Sequence, residues 1–346
     1  MSHSHDDHDH DHDHEHEPDE HAEESAGHGH THGVIDPSLF STARGVWALK
    51  WSLGGLLVTA LMQVVVVYFT GSVALLADTI HNFGDALTAV PLWIAFRVGE
   101  WKPTKRYTYG YGRVEDLAGV SIVGMILLSA IVAAYEAIQR LLNPQPVEYV
   151  WAVALAAIVG FVGNEAVAWF RIKVGKEIGS AALVADGYHA RVDGLTSLAV
   201  LAGAIGVWLG FPLADPLVGL FITLAILRIV WDSAKEVFSR MLDGVDPEVV
   251  DEIHHAAGEV AGVNAVTDVK VRWLGHRLHA ELHLTVTSEL TVSAAHEIAN
   301  AAHHNLLHHL PYLSSATIHV DPDEASGATH HRVEGHAHDD LPTHAH

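Results

Sequence analysis

Six apolar stretches follow one another between Ala43 and Trp231, at approximately residues 46–69, 73–97, 114–139, 150–170, 182–209 and 213–231. Each is near the ~20 residues that carry an α-helix across the ~30 Å hydrocarbon core of a bilayer. Hydrocarbon offers a backbone no hydrogen-bond partners, so such segments must be helices that satisfy themselves. The mean hydropathy is +0.20 although both ends of the 346-residue chain are intensely polar, which makes the middle far more apolar than a soluble domain. The expected fold is an α-helical membrane protein with six transmembrane helices.

The connections after the first, third and fifth stretches (FTGS, QRLLNPQPVE and LGFPLADP) carry one basic residue, Arg140. Those after the second and fourth carry Arg97, Lys102, Lys105, Arg106 and Arg113, then Arg171, Lys173 and Lys176. Cytoplasmic loops are enriched in Lys and Arg. That places these two loops and both termini in the cytoplasm of a multi-pass cell-membrane protein, and an even number of crossings agrees.

Four regions result: a His/Asp-rich tail (1–42), the transmembrane domain (43–240), a soluble domain (241–323) and a second His-rich tail (324–346). The first 32 residues contain acids but no Lys or Arg, so much of the formal charge of −23 is local to the first tail. That tail is too polar to bury a core and reads as disordered. Its alternating imidazoles and carboxylates suit soft-to-borderline divalent ions with little geometric selectivity. It lacks the basic and apolar regions of a secretory signal, and the N-terminus is expected to stay in the cytoplasm. No basic stripe points to a nucleic-acid partner. The absence of cysteine excludes disulfides, cysteine-type zinc sites and cysteine catalysis.

Within the second stretch stands ADTIHNFGD, and within the fifth VADGYHARVDGL. A charged side chain at the bilayer centre costs at least ~2.5 kcal/mol, so such groups face a bundle interior and mark a pathway. His81 and Asp85 are four residues apart and share a helix face, as do His189 and Asp193. Two matching D-x-x-H-x-x-x-D patterns in two helices are hard to explain as packing devices. If the helices are neighbours, the four residues supply two nitrogens and two carboxylates, a complete tetrahedral shell suited to Zn²⁺. Metal charge offsets the burial of the two carboxylates. Histidine must lose its proton to ligate, which gives a direct route to metal/proton exchange. Asp78 and Asp186, one turn earlier, suit either outer acceptors or local helix contacts. Asn82 and Asn164 could line the same cavity, although hydrogen bonds between packed helices explain them better.

From Gly244 the texture becomes that of a soluble domain. DPEVVDEIHHAAGEV opens with an Asp246–Pro247 helix start, and AVTDVKVRWLGHRLHAELHLTVTS reads as two strands around Leu274–Gly275 with Leu278, Ala280, Leu282 and Leu284 on one face. SAAHEIANAAHHNLLHHL is helical in spacing and ATIHVDP closes as a strand. The order α-β-β-α-β suggests a small α+β sandwich with its helices on one side of the sheet. His279, Glu281 and His283 alternate along one strand and share a face.

Residues 44–322 resemble the cation diffusion facilitators, a family of dimeric metal/proton antiporters. The resemblance rests on GSVALLADTIHNFGD, YTYGYGRVED, LVADGYHARVDGLTS and LHAELHLTV…SAAHEIA…ATIHVDP taken together. It implies six transmembrane helices, a cytoplasmic ferredoxin-like domain, a homodimer, and alternating access around a site of His81, Asp85, His189 and Asp193. Members with His-x-x-x-Asp in both helices look like zinc carriers, whereas manganese-type members carry aspartate in place of the histidines. A cytoplasmic metal cluster would map to His283, His296, His319 and Asp321. Thr267 stands where some members have another ligand histidine, which leaves a ligand missing or supplied by His276 or His279. Tyr107 and Tyr111 replace the histidines with which some members build a loop site, so no metal site is expected there. Arg113 and Asp243 are positioned like a family ion pair that locks the membrane and soluble parts together.

The expected function is export of Zn²⁺, with Co²⁺, Ni²⁺ and Cd²⁺ as alternatives, in exchange for protons and with no resident cofactor. A membrane metalloenzyme would need an open coordination position and a base, and HEIAN stops one residue short of H-E-x-x-H. A membrane-anchored metal sensor or sink is the other alternative, but it has no use for paired ligands inside the membrane.

Overall fold

The computed structural model describes residues 37–70, 89–142, 150–211, 213–324, 336–338 and 341–344. Helices α1 (Pro37–Thr70), α2 (Ala89–Gly99), α3 (Arg113–Leu142), α4 (Val150–Ile178), α5 (Ala181–Trp208) and α6 (Ala214–Met241) form a bundle. Among the described residues five of these, all but α2, are long and apolar enough to cross a membrane. The second expected span, 73–97, falls largely on residues 71–88, outside the described residues, and α2 holds its end. Trp51, Tyr68, Phe221 and Trp231 are exposed on the bundle, a surface suited to lipid rather than water.

Helix α5 packs on α2, α3, α4 and α6 and has more buried side chains than its neighbours. Small residues allow this, because helix backbones in a membrane approach closely only where side chains are small. A Cβ on Gly187 would lie 2.9 Å from the backbone nitrogen of Ile172, and one on Gly175 would lie 2.8 Å from that of Val184.

One boundary differs from the sequence reading with a consequence for charge. The fourth stretch was expected to end at 170, with Arg171, Lys173 and Lys176 in a loop, but α4 continues to Ile178. Hydropathy falls where charged residues begin, while the helix stops only at Gly179 (φ +71) and at Ser180, whose hydroxyl caps α5 by accepting from the Leu183 amide. Arg171 is therefore a buried helical residue. Helix α6 likewise runs past 231 to Met241 through an amphipathic last segment.

The C-terminal domain has the order α7 (Pro247–Gly258), β1 (Ala265–Leu274), β2 (Arg277–Val286), α8 (Val292–His309) and β3 (Leu313–Pro322). Asp246 caps α7 ahead of Pro247, and Thr291 caps α8. β1 pairs antiparallel with β2, and β2 pairs parallel with β3. A ferredoxin-like domain is built β-α-β-β-α-β; the described domain is its α-β-β-α-β part, a three-stranded sheet with the parallel strands in direct contact. Leu278, Ala280, Leu282 and Leu284 bury one face of β2 against Ile253, Ala256 and Ala257 of α7 and Ala302 and Leu306 of α8. The register of β1 slips between Thr267 and Lys270, where Asp268 has φ +49. This β-bulge had no signal in the strand pattern. Strands β4 (His336–His338) and β5 (Leu341–His344) pair antiparallel.

Candidate metal centres

His189 and Asp193 lie one turn apart on α5, both buried. Asn164 of α4 is also buried, and a Cβ on Gly194, next to Asp193, would sit 3.5 Å from the Cβ of Asn164. One buried imidazole and one buried carboxylate thus lie on the same face of α5. His81, Asp85, Asp78 and Asn82 lie outside the described residues.

Asp186, one turn before His189, is committed elsewhere. Its carboxylate forms an ion pair of 2.9 Å with Arg171, and both side chains are essentially inaccessible (0% and 1%). The guanidinium Nε also donates to Ser52 Oγ at 2.9 Å, tying α1, α4 and α5 together. Asp186 thus makes an ion pair between α5 and α4. Hydropathy alone does not reveal this pairing, because it places Arg171 in a loop rather than on α4.

The second group is in the C-terminal domain. The parallel register places His283 of β2 beside His319 of β3 and Thr285 beside Asp321, so His283, His319 and Asp321 share a face. Their ligand atoms all lie within 4.8 Å of one another. Asp321, buried at the base, binds both imidazoles, at 3.1 Å to His283 Nδ1 and 2.9 Å to His319 Nε2. Thr267 stands directly across β1 from His283, beside the bulge. His296 is exposed on α8 and is not in this group. His279 contacts Ser314 at 3.2 Å; four residues along a strand put it ~13 Å from His283.

His276 is occupied at the junction of the two parts. Gly275 and His276 form the two-residue turn between β1 and β2, with Gly275 at φ +64. The turn inserts against the first turn of α3, where Glu115 and Asp116 are both buried. The Gly275 amide donates to Asp116 and the His276 amide to Glu115, each at 3.3 Å. His276 Nδ1 lies 2.6 Å from the same Glu115 carboxylate and Nε2 lies 2.9 Å from Thr42 Oγ1. Nδ1–H donates to Glu115 and Nε2 faces the Thr42 hydroxyl, so both ring nitrogens have partners. The positive end of the α3 dipole favours two carboxylates there. The sequence signal was available: two acids opening an apolar helix need partners.

Arg113 pairs with Asp243 beside this turn and donates to the Arg240 carbonyl at 3.1 Å. The two side chains are 37% and 49% exposed, so the pair contributes only ~0–1 kcal/mol. The buried turn contacts carry more of the junction. Arg240 stacks over Trp273 at 4.3 Å.

Residues 49–242 match the family described as the cation efflux transmembrane domain, and residues 245–323 match the cytoplasmic domain of cation efflux proteins. A protein named "Probable cation efflux system protein" from Mycobacterium tuberculosis strain H37Rv is 59% identical over 290 residues, covering 84% of this chain and 87% of its own length. Magnetosome protein MamB of Magnetospira sp. is 27% identical over 260 residues, covering 73% of this chain and 87% of its own. A solved variant of the MamM C-terminal domain is 28% identical, covering 22% of this chain and 95% of its own, with a TM-score of 0.22. The chain belongs to the cation efflux, or cation diffusion facilitator, family, and is a multi-pass membrane transporter of divalent metal cations rather than an enzyme.

Proposed function

We propose that this transporter exports Zn²⁺ from the cytoplasm in exchange for protons, through a tetrahedral site of His81 and Asp85 from the second of six spans and His189 and Asp193 from the fifth. The observation that carries this reading is the buried His189–Asp193 pair on the central helix. Because Asp186 is neutralised by Arg171, it adds no net charge beside the site. Two carboxylates facing a dication leave little charge to desolvate, and the imidazoles let protons compete for the same lone pairs. Co²⁺, Ni²⁺ and Cd²⁺ fit the same donors less selectively. Asp78, Asn82 and Asn164 belong to the surroundings of the pathway rather than to the shell.

The rest of the architecture follows: both termini and the C-terminal domain are cytoplasmic, and that domain pairs with a second copy in a homodimer. His283, His319 and Asp321 hold a further metal ion with water in the remaining position, an open arrangement suited to exchange; His296 stands outside it.

The test uses proteoliposomes loaded with a zinc-sensitive dye. An imposed proton gradient is expected to drive zinc uptake, a protonophore to stop it, and removal of residues 1–36 to leave it largely intact. Uptake indifferent to the gradient would contradict the exchange mechanism; zinc retention lost on truncation, without flux, would indicate a sink.

A further inference from the structure

Among the described residues outside the two groups above, histidines are densest on α8, in the run AHHNLLHH. The four imidazoles there fall into three settings. His303 is half-buried, with its Nε2 enclosed. His309 turns to α7, where its Nδ1 lies 2.7 Å from a Glu252 carboxylate oxygen. His304 and His308, one turn apart and both exposed, face each other: Nε2 to Nε2 is 3.1 Å, with the rings 73° apart.

We infer that His304 and His308 form a bidentate surface site for an imidazole-preferring divalent cation such as Zn²⁺, Ni²⁺ or Cu²⁺. At metal–nitrogen bonds of ~2.0–2.1 Å, two nitrogens on one ion stand ~3.3 Å apart at the tetrahedral angle and ~2.9 Å apart at a right angle. The 3.1 Å separation lies between these values, so a metal can enter without rearranging the helix. Histidines at i and i+4 on a helix are an established metal-binding arrangement, and late first-row cations favour imidazole. In the metal-free form the same separation suits an N–H···N hydrogen bond between neutral rings. Entry of metal then requires only that one ring carry its proton on Nδ1 instead of Nε2. With two protein ligands, water fills the other positions. This makes an exchangeable site, independent of the His283–His319–Asp321 group and of which metal crosses the membrane.

The test measures diethyl pyrocarbonate modification of individual histidines in the full-length chain in detergent micelles, read by tandem mass spectrometry with and without Zn²⁺. At free Zn²⁺ ~10 times the dissociation constant, modification of both His304 and His308 is expected to slow ~10-fold. His304→Gln is expected to return His308 to its metal-free rate, and His308→Gln to do the same for His304. Both positions are exposed, so His283 in the same samples reports that the domain remains folded and metal-competent. Protection of His308 that survives His304→Gln, or no protection of either residue while His283 is protected, would overturn the inference.

Discussion

Replacing Arg171 by methionine is expected to destabilise the bundle by ~3–5 kcal/mol, the range for removing one member of a buried ion pair. Asp186 is wholly inaccessible and faces the guanidinium at 2.9 Å, so the substitution leaves a carboxylate in an apolar interior with nothing to offset its charge. The bond to Ser52 on α1 is lost as well. Replacing both members by apolar residues of similar volume is often neutral, so Arg171→Met with Asp186→Leu should recover most of the lost stability. Thermal unfolding in detergent measures both. If the single substitution costs less than the double, the burial described for Asp186 is wrong.

Gly275→Val is the second large effect, and it should act on docking rather than on folding of the C-terminal domain. A branched side chain at φ +64 is disfavoured by ~1–2 kcal/mol. Its Cβ would also lie 2.7 Å from the Glu115 carboxylate and 2.8 Å from the Gly112 carbonyl. The turn must therefore retreat, and Glu115 and Asp116 lose donors that cost ~1–3 kcal/mol each to leave unmatched while buried. Hydrogen exchange should rise in the first turn of α3, while the amides of α8 and β2 keep their protection. Gly275→Asn separates the two causes. Asparagine tolerates the left-handed region but brings the same Cβ, and is expected to be nearly as damaging. Full protection of α3 in the asparagine variant would show that backbone conformation alone matters at this turn.

These two sites also mark where the sequence stopped being legible. Strand β2 could be read residue by residue, because alternation decides which side chains enter the core and Leu278, Ala280, Leu282 and Leu284 obey it. Five long spans were visible for the same reason, hydropathy being a local property. Arg171 was misplaced because a count of loop cations cannot know that the helix continues to Ile178, nor that Asp186 on the next helix waits for it. The family resemblance offers His276 as a substitute for the ligand missing at Thr267, yet its partners are Glu115 and Thr42, far away in the chain. Parallel pairing put His283 beside His319, and no local pattern specifies that register. His296 has the right chemistry and is on the wrong element, the exposed side of α8.

If the buried His189–Asp193 pair belongs to the path of the metal, transport must depend on it. The most direct measurement is the initial rate of proton-gradient-driven Zn²⁺ uptake into proteoliposomes, comparing the native chain with Asp193→Ala and Asp85→Ala at matched reconstitution. Each substitution is expected to reduce uptake to the level of empty liposomes while the protein remains folded. Uptake at the native rate in either variant would contradict it and place the pathway elsewhere in the bundle.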